Sequence, residues 1–205
     1  MGASSTSGAR LRPLLDFVAA MARRDGPRAK RALLAARRAG TPRREAEEAA
    51  LLLVLHAGYP AALEGTRMLS EAWPGRARRT REGGVSDWRR RGAALCRKVY
   101  GPVYPKLVAS VTALHPDLAT WMIEQGYGRV LSRRPLDAAA RERLAVAVLA
   151  AAGWERQLVS HLLGARRLGN SRAVIRATVE RALRGAAPPV RAAARRAWRT
   201  AFPPG

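Results

Sequence analysis

Residues 134–183 decide the fold class, because they hold three helical patterns in a row with short breaks between them. They read RPLDAAARERLAVAVLAAAGWERQLVSHLLGARRLGNSRAVIRATVERAL. Asp137 is placed to cap the first helix, Gly153 ends it, and Gly169 and Ser171 separate the second helix from the third. Alanine, leucine and arginine dominate, and these residues lose little side-chain freedom in a helix. The stretch therefore predicts an all-α fold.

The same helical spacing of apolar residues continues through the rest of the chain, and we find no convincing alternating strand pattern. Helices are predicted over about residues 11–21, 28–39, 42–56, 61–72, 88–100, 104–113, 116–126, 138–152, 155–168 and 172–183, with a short last helix after Pro188-Pro189.

Part of the pattern repeats. AARRAGTPR (35–43) matches GARRLGNSR (164–172) without a gap, and predicted helices flank both segments at corresponding positions. Duplication explains this shared order better than chance does, and two similar halves would pack as one helical body. Position 35 is paired with position 164, and the same pairing is continued along both halves. We call this pairing the repeat register. The resulting division is a flexible tail (1–10), a degenerate first copy (11–73), a basic linker (74–87), a second copy (88–185) and a basic C-terminal extension (186–205).

Composition narrows the class of protein. The 205 residues are 48% hydrophobic, enough for a sizeable core, and include one cysteine, Cys96, so no internal disulfide can form. The apolar run at residues 49–55 is too short for a membrane span, and no secretory signal is visible. These features predict a cytoplasmic protein.

Charge is the unusual feature. The chain has 38 basic and 15 acidic residues, a net +23, and its lysines are Lys30, Lys98 and Lys106. Such a charge attracts polyanions, with nucleic acid as one possible partner. Coding bias is the alternative, since a GC-rich genome enriches Arg, Ala, Gly and Pro together. Bias explains arginine in place of lysine but not the scarcity of acids.

Several short motifs in the right order resemble the carboxymuconolactone decarboxylase family. In the second half they are Arg141-Glu142-x-Leu144, Gln157-Leu158-x-x-His161 and Gly164-Ala165. In the first half HAGYPAALEGTRML (56–69) resembles the family segment in which an aromatic residue, Gly, an aromatic residue and Pro precede an Ala-rich helix. GYGRVLSRRPLD (126–137) resembles the connection before the domain in two-copy members. The resemblance covers most of residues 11–185.

The resemblance implies an alkylhydroperoxidase D-like helical bundle with two degenerate copies, and a homo-oligomer. Family members are lactone decarboxylases, thiol peroxidases or proteins without an assigned activity. Peroxidase chemistry needs a Cys-x-x-Cys pair, and residues 155–165 contain no cysteine. Cys96 has no partner, and we interpret it as a small buried apolar residue.

His161 is the candidate catalytic residue for the decarboxylase reaction, which needs a proton donor or acceptor and no cofactor. Gln157, four residues earlier on the same helical face, would orient the ring or a substrate oxygen. In the repeat register these positions correspond to Ala32 and Arg28, so only the second copy could carry a site. The alternative is that His161 is structural.

Four further residues are predicted to bind a small anionic substrate: His56, Tyr59, Arg134 and Arg141. His56 and Tyr59 belong to the family-like segment of the first half, and the arginines would pair with a carboxylate. The alternative for His56 is that it ends a helix, where a cation suits the dipole. No two histidines have metal-ligand spacing with acids nearby, so we predict no metal site.

A basic stripe on the last helix completes the predictions. Arg191, Arg195 and Arg199 are spaced by four residues beside Trp198, and arginine with an aromatic can hold phosphates and stack on bases. Three hypotheses remain: a lyase acting on a small carboxylated or lactone-like compound, a non-catalytic scaffold that binds polyanions, and a structural remnant that only oligomerises.

Overall fold

Residues 8–204 are described by the computed structural model, and every regular element within them is helical. In chain order the elements are α1 (Gly8–Ala22), α2 (Gly26–Arg38), α3 (Arg43–His56), α4 (Gly58–Ala72), α5 (Val85–Tyr100), a 3-10 turn (Gly101–Val103), α6 (Tyr104–Leu114), α7 (Pro116–Trp121), a π-helix (Met122–Leu131), α8 (Ala138–Ala152), α9 (Glu155–Arg167), α10 (Arg172–Ala182) and α11 (Pro188–Ala201). The all-α prediction is confirmed. Of the tail predicted for residues 1–10, residues 1–7 lie outside the described residues, and residues 8–10 form the first turn of α1.

Several helix boundaries differ from the sequence prediction by two or more residues, and two of the differences have a clear description. The helix predicted from residue 61 begins at Gly58, because Pro60 sits in the first turn, where its missing N–H has no intrahelical partner to lose. The helix predicted to stop near Gly126 continues as the π-helix to Leu131. Within residues 8–204, no helix combines the length and hydropathy that a membrane span requires.

Helix α8 lies at the centre of the molecule. It packs against α1, α3, α9, α10 and α11, and most of its residues are buried. A helix surrounded on all sides is expected to be apolar all round, and α8 is alanine-, leucine- and valine-rich. Its two buried charges, Arg141 and Glu142, are therefore the exceptions that need an explanation.

The helix bounds in the two halves coincide in the repeat register. Helices α2 and α9 match at both ends, α3 and α10 begin at matching positions, and α1 and α4 agree with α8 and α11 to within one position. Three packing pairs correspond as well: α1–α2 with α8–α9, α1–α3 with α8–α10, and α2–α4 with α9–α11. The close packing of α3 on α4 has no equally close counterpart between α10 and α11. The halves meet through α1–α8 and through the reciprocal pairs α1–α10 and α3–α8.

The turns follow the same correspondence. The N–H of Asp25 donates to Ala20 O at 2.9 Å, and the N–H of Trp154 donates to Leu149 O at 3.1 Å. The residue before each donor is left-handed: Arg24 has φ 58° and Gly153 has φ 78°. Arg24 thus occupies a conformation that the other half assigns to glycine.

Residues 74–137 connect the halves. Residues 74–84 form a non-helical segment, here called the strap, within the linker predicted for residues 74–87. After it, α5 packs on the π-helix and on α9. The residues predicted to be a C-terminal extension form α11, which packs on α9 and α8 with Ala193, Ala194 and Ala197 buried.

A buried ion network joins this connecting region to the core. Glu48 of α3 accepts from Arg133 at 2.8 and 3.0 Å and from Arg141 at 2.8 Å. Arg133 also pairs with Glu82 of the strap. Removing one partner from such a network leaves an uncompensated buried charge, so the strap is fixed to the body by strongly coupled groups.

Candidate functional site: a buried glutamate and two histidines

The ring of His161 on α9 makes a buried hydrogen bond to Glu142 on α8. His161 Nδ1 lies 2.9 Å from Glu142 Oε2, and both side chains are less than a tenth exposed. Sequence analysis assigned no role to Glu142. The signal available was an acid in a helix that is otherwise mostly apolar, where an unpaired carboxylate would be costly.

Gly164 makes this approach possible. A Cβ on Gly164 would lie 2.8 Å from Glu142 Oε2 and 2.7 Å from Val99 Cγ1, both too close for a real contact. Since Gly164 follows His161 by three residues, it lies on the same face of α9. The Gly164-Ala165 motif therefore has a physical reason, which is room for the carboxylate beside the imidazole.

His56, at the end of α3, completes the set that we call the Glu–His site. Its ring meets that of His161 edge to face, with centroids 5.2 Å apart and an interplanar angle of 84°. His56 Nε2 is enclosed and has no hydrogen-bond partner among the described residues. Burial and the neighbouring His161 lower the pKa of His56 to about 3, so its ring stays neutral near neutral pH.

A tyrosine pair and Cys96 lie around the Glu–His site. The hydroxyls of Tyr100 and Tyr127 are 3.1 Å apart and buried. Burial raises the pKa of Tyr100 to about 12, and burial together with nearby Glu142 raises the pKa of the Cys96 thiol to about 12. Cys96 is fully buried, so it is a protonated thiol and a poor nucleophile.

A cleft of about 530 Å³ reaches His56 from the surface. Its walls are mainly apolar, with Met21, Met68 and Trp154 among them, and Arg24 and Glu64 contribute the charges. Clefts of this kind, with a few polar groups on an apolar wall, are typical of small-molecule sites. Arg24 is exposed, and sequence analysis did not single it out among the many arginines.

The structure brings together only some of the predicted site residues. His161 and His56 are in contact. Gln157, which was predicted to orient the His161 ring, is exposed, and Glu142 lies beside that ring instead. Tyr59 is 66% exposed and lines a different cleft, beside the strap. Arg134 is exposed, and Arg141 is buried on Glu48, so its charge is already paired.

The predicted basic stripe lies on the outer face of α11. Arg191, Arg195 and Arg199 are all exposed, and Arg191 Nε donates to Ala186 O at 2.9 Å. Arg195, Trp198 and Arg199 line a shallow cleft of about 300 Å³. Within residues 8–204, no group of three or more His, Cys, Asp or Glu side chains is arranged to hold a metal ion.

Comparison with protein-family models and with curated proteins finds no match for this sequence.

Proposed function

We propose that this chain is a divergent carboxymuconolactone decarboxylase-like protein, built from two degenerate copies, that transfers a proton on a small carboxylated or lactone-like compound. The helix bounds, packing pairs and turns that correspond in the repeat register support the duplication. The observation that carries the catalytic part is the buried Glu142–His161 bond with His56 against it.

The roles follow from the contacts. A carboxylate on Nδ1 fixes the tautomer and the orientation of the His161 ring, so that Nε2 is the nitrogen that exchanges the proton. His56 remains neutral, and a neutral imidazole can donate a hydrogen bond to a carbonyl oxygen on which negative charge develops. Arg24 at the cleft would bind the substrate carboxylate that is not lost.

Decarboxylation of a carboxylated unsaturated lactone fits these roles. The bond between carbon and the carboxylate breaks, carbon dioxide leaves, and the electron pair is delocalised toward the lactone carbonyl, where His56 stabilises the charge. His161 then delivers a proton from Nε2 to the ring carbon, which neutralises the negative charge on the lactone, and a proton from water restores His161 for the next turnover. We do not propose thiol peroxidase activity, because Cys96 is the one cysteine of the chain and is a buried thiol.

Turnover of γ-carboxymuconolactone, followed by loss of its absorbance, tests the proposal. We expect wild-type turnover that falls by about 10²–10⁴ in His161→Ala with its helical circular dichroism retained. Arg156→Ala, on an exposed arginine of the same helix, is the control and should keep the wild-type rate. Equal rates in wild type and His161→Ala would contradict the assignment.

Binding of polyanions through the arginine-rich surface is the second candidate function. It is favoured by the net charge of +23 and by the exposed arginines of α11, of which Arg195 and Arg199 make no ion pair with the described residues. Affinity for an oligonucleotide that falls steeply with salt would support it, because each neutralised phosphate releases counterions. Affinity that is absent at low salt would contradict it.

We also propose that the chain is a homo-oligomer, joined through a hydrophobic hairpin formed by α6 and α7. No residue of α6 is buried, and Leu114, Leu118 and Trp121 are 78, 47 and 55% exposed. Residues 104–121 contain one lysine and one aspartate, in a chain of net charge +23. A second copy of the chain fits this surface, because the hairpin carries few charges and two copies would not repel each other there.

A further inference from the structure

The strap forms a concave basic surface with α5 and the π-helix. Two clefts, of about 800 and 410 Å³, lie on either side of residues 79–82 and share Arg79, Thr80, Glu82 and Arg129 as lining residues. They are therefore two parts of one surface, which we call the strap groove. Neither cleft includes a residue of the Glu–His site.

Positive charge in the strap groove is not neutralised by the protein. Arg78, Arg79 and Arg81, which line the groove, are exposed and make no hydrogen bond or ion pair with the described residues. The acid of the strap, Glu82, is already held by Arg129 at 2.9 Å and by Arg133. Although burial raises the pKa of Glu82, the hydrogen bond from Arg129 and the charge of Arg133 outweigh it and lower that pKa.

Glu82 holds the strap in place through hydrogen bonds to its carboxylate and to its backbone oxygen. Its carboxylate accepts from two guanidinium groups at once, and its backbone oxygen accepts from Arg91 at 2.8 Å and from Trp88 Nε1 at 3.2 Å. The strap is therefore anchored by this residue, while its arginines contact no acid among the described residues. Any anion that these arginines bind comes from outside the described residues, and paired oxygens such as those of phosphate suit guanidinium groups best.

Flat groups accompany the arginines. The guanidinium of Arg129 lies over the Trp88 ring, 4.9 Å from its centroid, and Arg129 lines both clefts. Tyr59 is 66% exposed at the second cleft, whose floor is apolar through Leu51, Val54 and Leu55. An exposed ring beside a stacked guanidinium is the arrangement on which unpaired bases stack, because every base has a π-face.

We propose that the strap groove is a binding site for single-stranded nucleic acid, with phosphates on Arg78, Arg79 and Arg81 and a base against Tyr59. This inference rests on the second candidate function and gives it a place and a ligand class. A duplex is a poorer fit. Proteins read the bases of a duplex with an element that projects into a DNA groove, whereas the strap surface is itself concave. A lipid surface is a poorer fit too, since eight of the ten large exposed hydrophobic residues among the described residues line neither cleft.

The test is a fluorescence anisotropy titration with a labelled single-stranded oligonucleotide of about 15 nucleotides, within the span that single-strand sites cover. Two triple variants carry the same loss of charge: Arg78→Ala with Arg79→Ala and Arg81→Ala in the strap, and, as the control, Arg31→Ala with Arg38→Ala on α2 and Arg166→Ala on α9. We expect the strap variant to weaken binding about tenfold or more and to flatten its salt dependence, and the control variant to weaken it less than about threefold. All substituted arginines are exposed, so circular dichroism should be unchanged.

Tyr59→Ala separates stacking from charge. We expect it to weaken single-strand binding about fivefold or more while the salt slope stays as in wild type, because no phosphate contact is lost. Equal weakening by the two triple variants would overturn the strap groove and leave only diffuse attraction by the net charge. Equal affinity for a duplex of the same length, or binding to phosphatidylserine vesicles but not to the oligonucleotide, would overturn the ligand class. Absence of any binding would overturn both this inference and the second candidate function, without touching the Glu–His site.

Discussion

Arg24 is a residue with two opposing effects. Its left-handed backbone costs about 1–2 kcal/mol in a residue other than glycine, and its equivalent in the repeat register is Gly153. We therefore expect Arg24→Gly to raise the free energy of unfolding by up to about 1 kcal/mol, less the chain entropy that glycine adds. It should also raise KM for a carboxylated substrate, because the arginine lines the cleft at His56.

Urea unfolding and steady-state kinetics check these two effects together. Arg24→Lys keeps a cation in the same backbone conformation, so it is the matched control and should leave stability near that of wild type. A destabilised Arg24→Gly variant would contradict the strain, and an unchanged KM would remove Arg24 from substrate binding.

His56 is expected to make stability depend on pH. An imidazole in the unfolded chain titrates near ~6.5, whereas burial and His161 lower the pKa of His56 in the folded chain to about 3. Between these values the unfolded chain binds a proton that the folded chain does not. Stability should therefore be lost as pH falls from about 6.5 toward 3, by at most about 1.4 kcal/mol per pH unit from this residue.

Urea unfolding between pH 4.5 and 7 measures this slope in wild type and in His56→Gln. We expect the variant to have a shallower slope, while His115→Gln, at an exposed ring near α7, should keep the wild-type slope. Identical slopes in wild type and His56→Gln would show that His56 is not buried as a neutral ring.

At the scale of elements, α5 and the π-helix cross so closely that their backbones touch at two glycines. A Cβ on Gly92 would lie 1.9 Å from Ile123 O, and one on Gly128 would lie 2.0 Å from Trp88 O. These glycines are needed because no side chain fits between the two helices. The same crossing positions Tyr100 and Tyr127 beside the Glu–His site.

Gly92→Ala should therefore destabilise the protein by about 3 kcal/mol or lead to misfolding, because backbone atoms cannot move aside as a flexible side chain can. Gly126→Ala, in the π-helix with its nearest neighbour at 3.9 Å, is the matched control and should be neutral or slightly stabilising. Chemical denaturation of both variants measures the difference. Equal stability of the two would contradict the close crossing.

The oligomer belongs to the scale of the whole molecule. If the hydrophobic hairpin joins copies of the chain, Leu114→Glu with Leu118→Glu should convert the oligomer to monomer, because the contact would then bury unpaired charges. Leu63→Glu, at a 69% exposed residue of α4, is the control and should keep the wild-type mass. Light scattering after size exclusion gives the masses. A monomeric wild-type protein at high concentration would exclude this role of the hairpin.

How much the sequence could predict depends on how local the cause is. The helices, the end of α8 at Gly153 and its cap at Asp137 depend on nearby residues, so the sequence predicts them. The correspondence of the turns in the two halves follows from the repeat register. Glu142 was missed because its role depends on Gly164 and His161, which reach it only through the packing of α8 on α9. Gln157 was predicted from the family-like motif and from its spacing to His161, yet its side chain is exposed. The sequence does not distinguish Arg141, which is buried on Glu48, from the exposed arginines of the strap, because only their surroundings in the fold differ.

The coupling between Glu142 and His161 is the most direct test of the central claim that they act as one acid–base unit. The measurement is kcat for γ-carboxymuconolactone in wild type, Glu142→Gln, His161→Ala and the double variant. Residues that act together lose their effect together, so we expect each single variant to lower kcat by about 10²-fold or more and the double variant to be no slower than the slower single one. Losses that multiply in the double variant, or a wild-type protein without turnover, would contradict the claim.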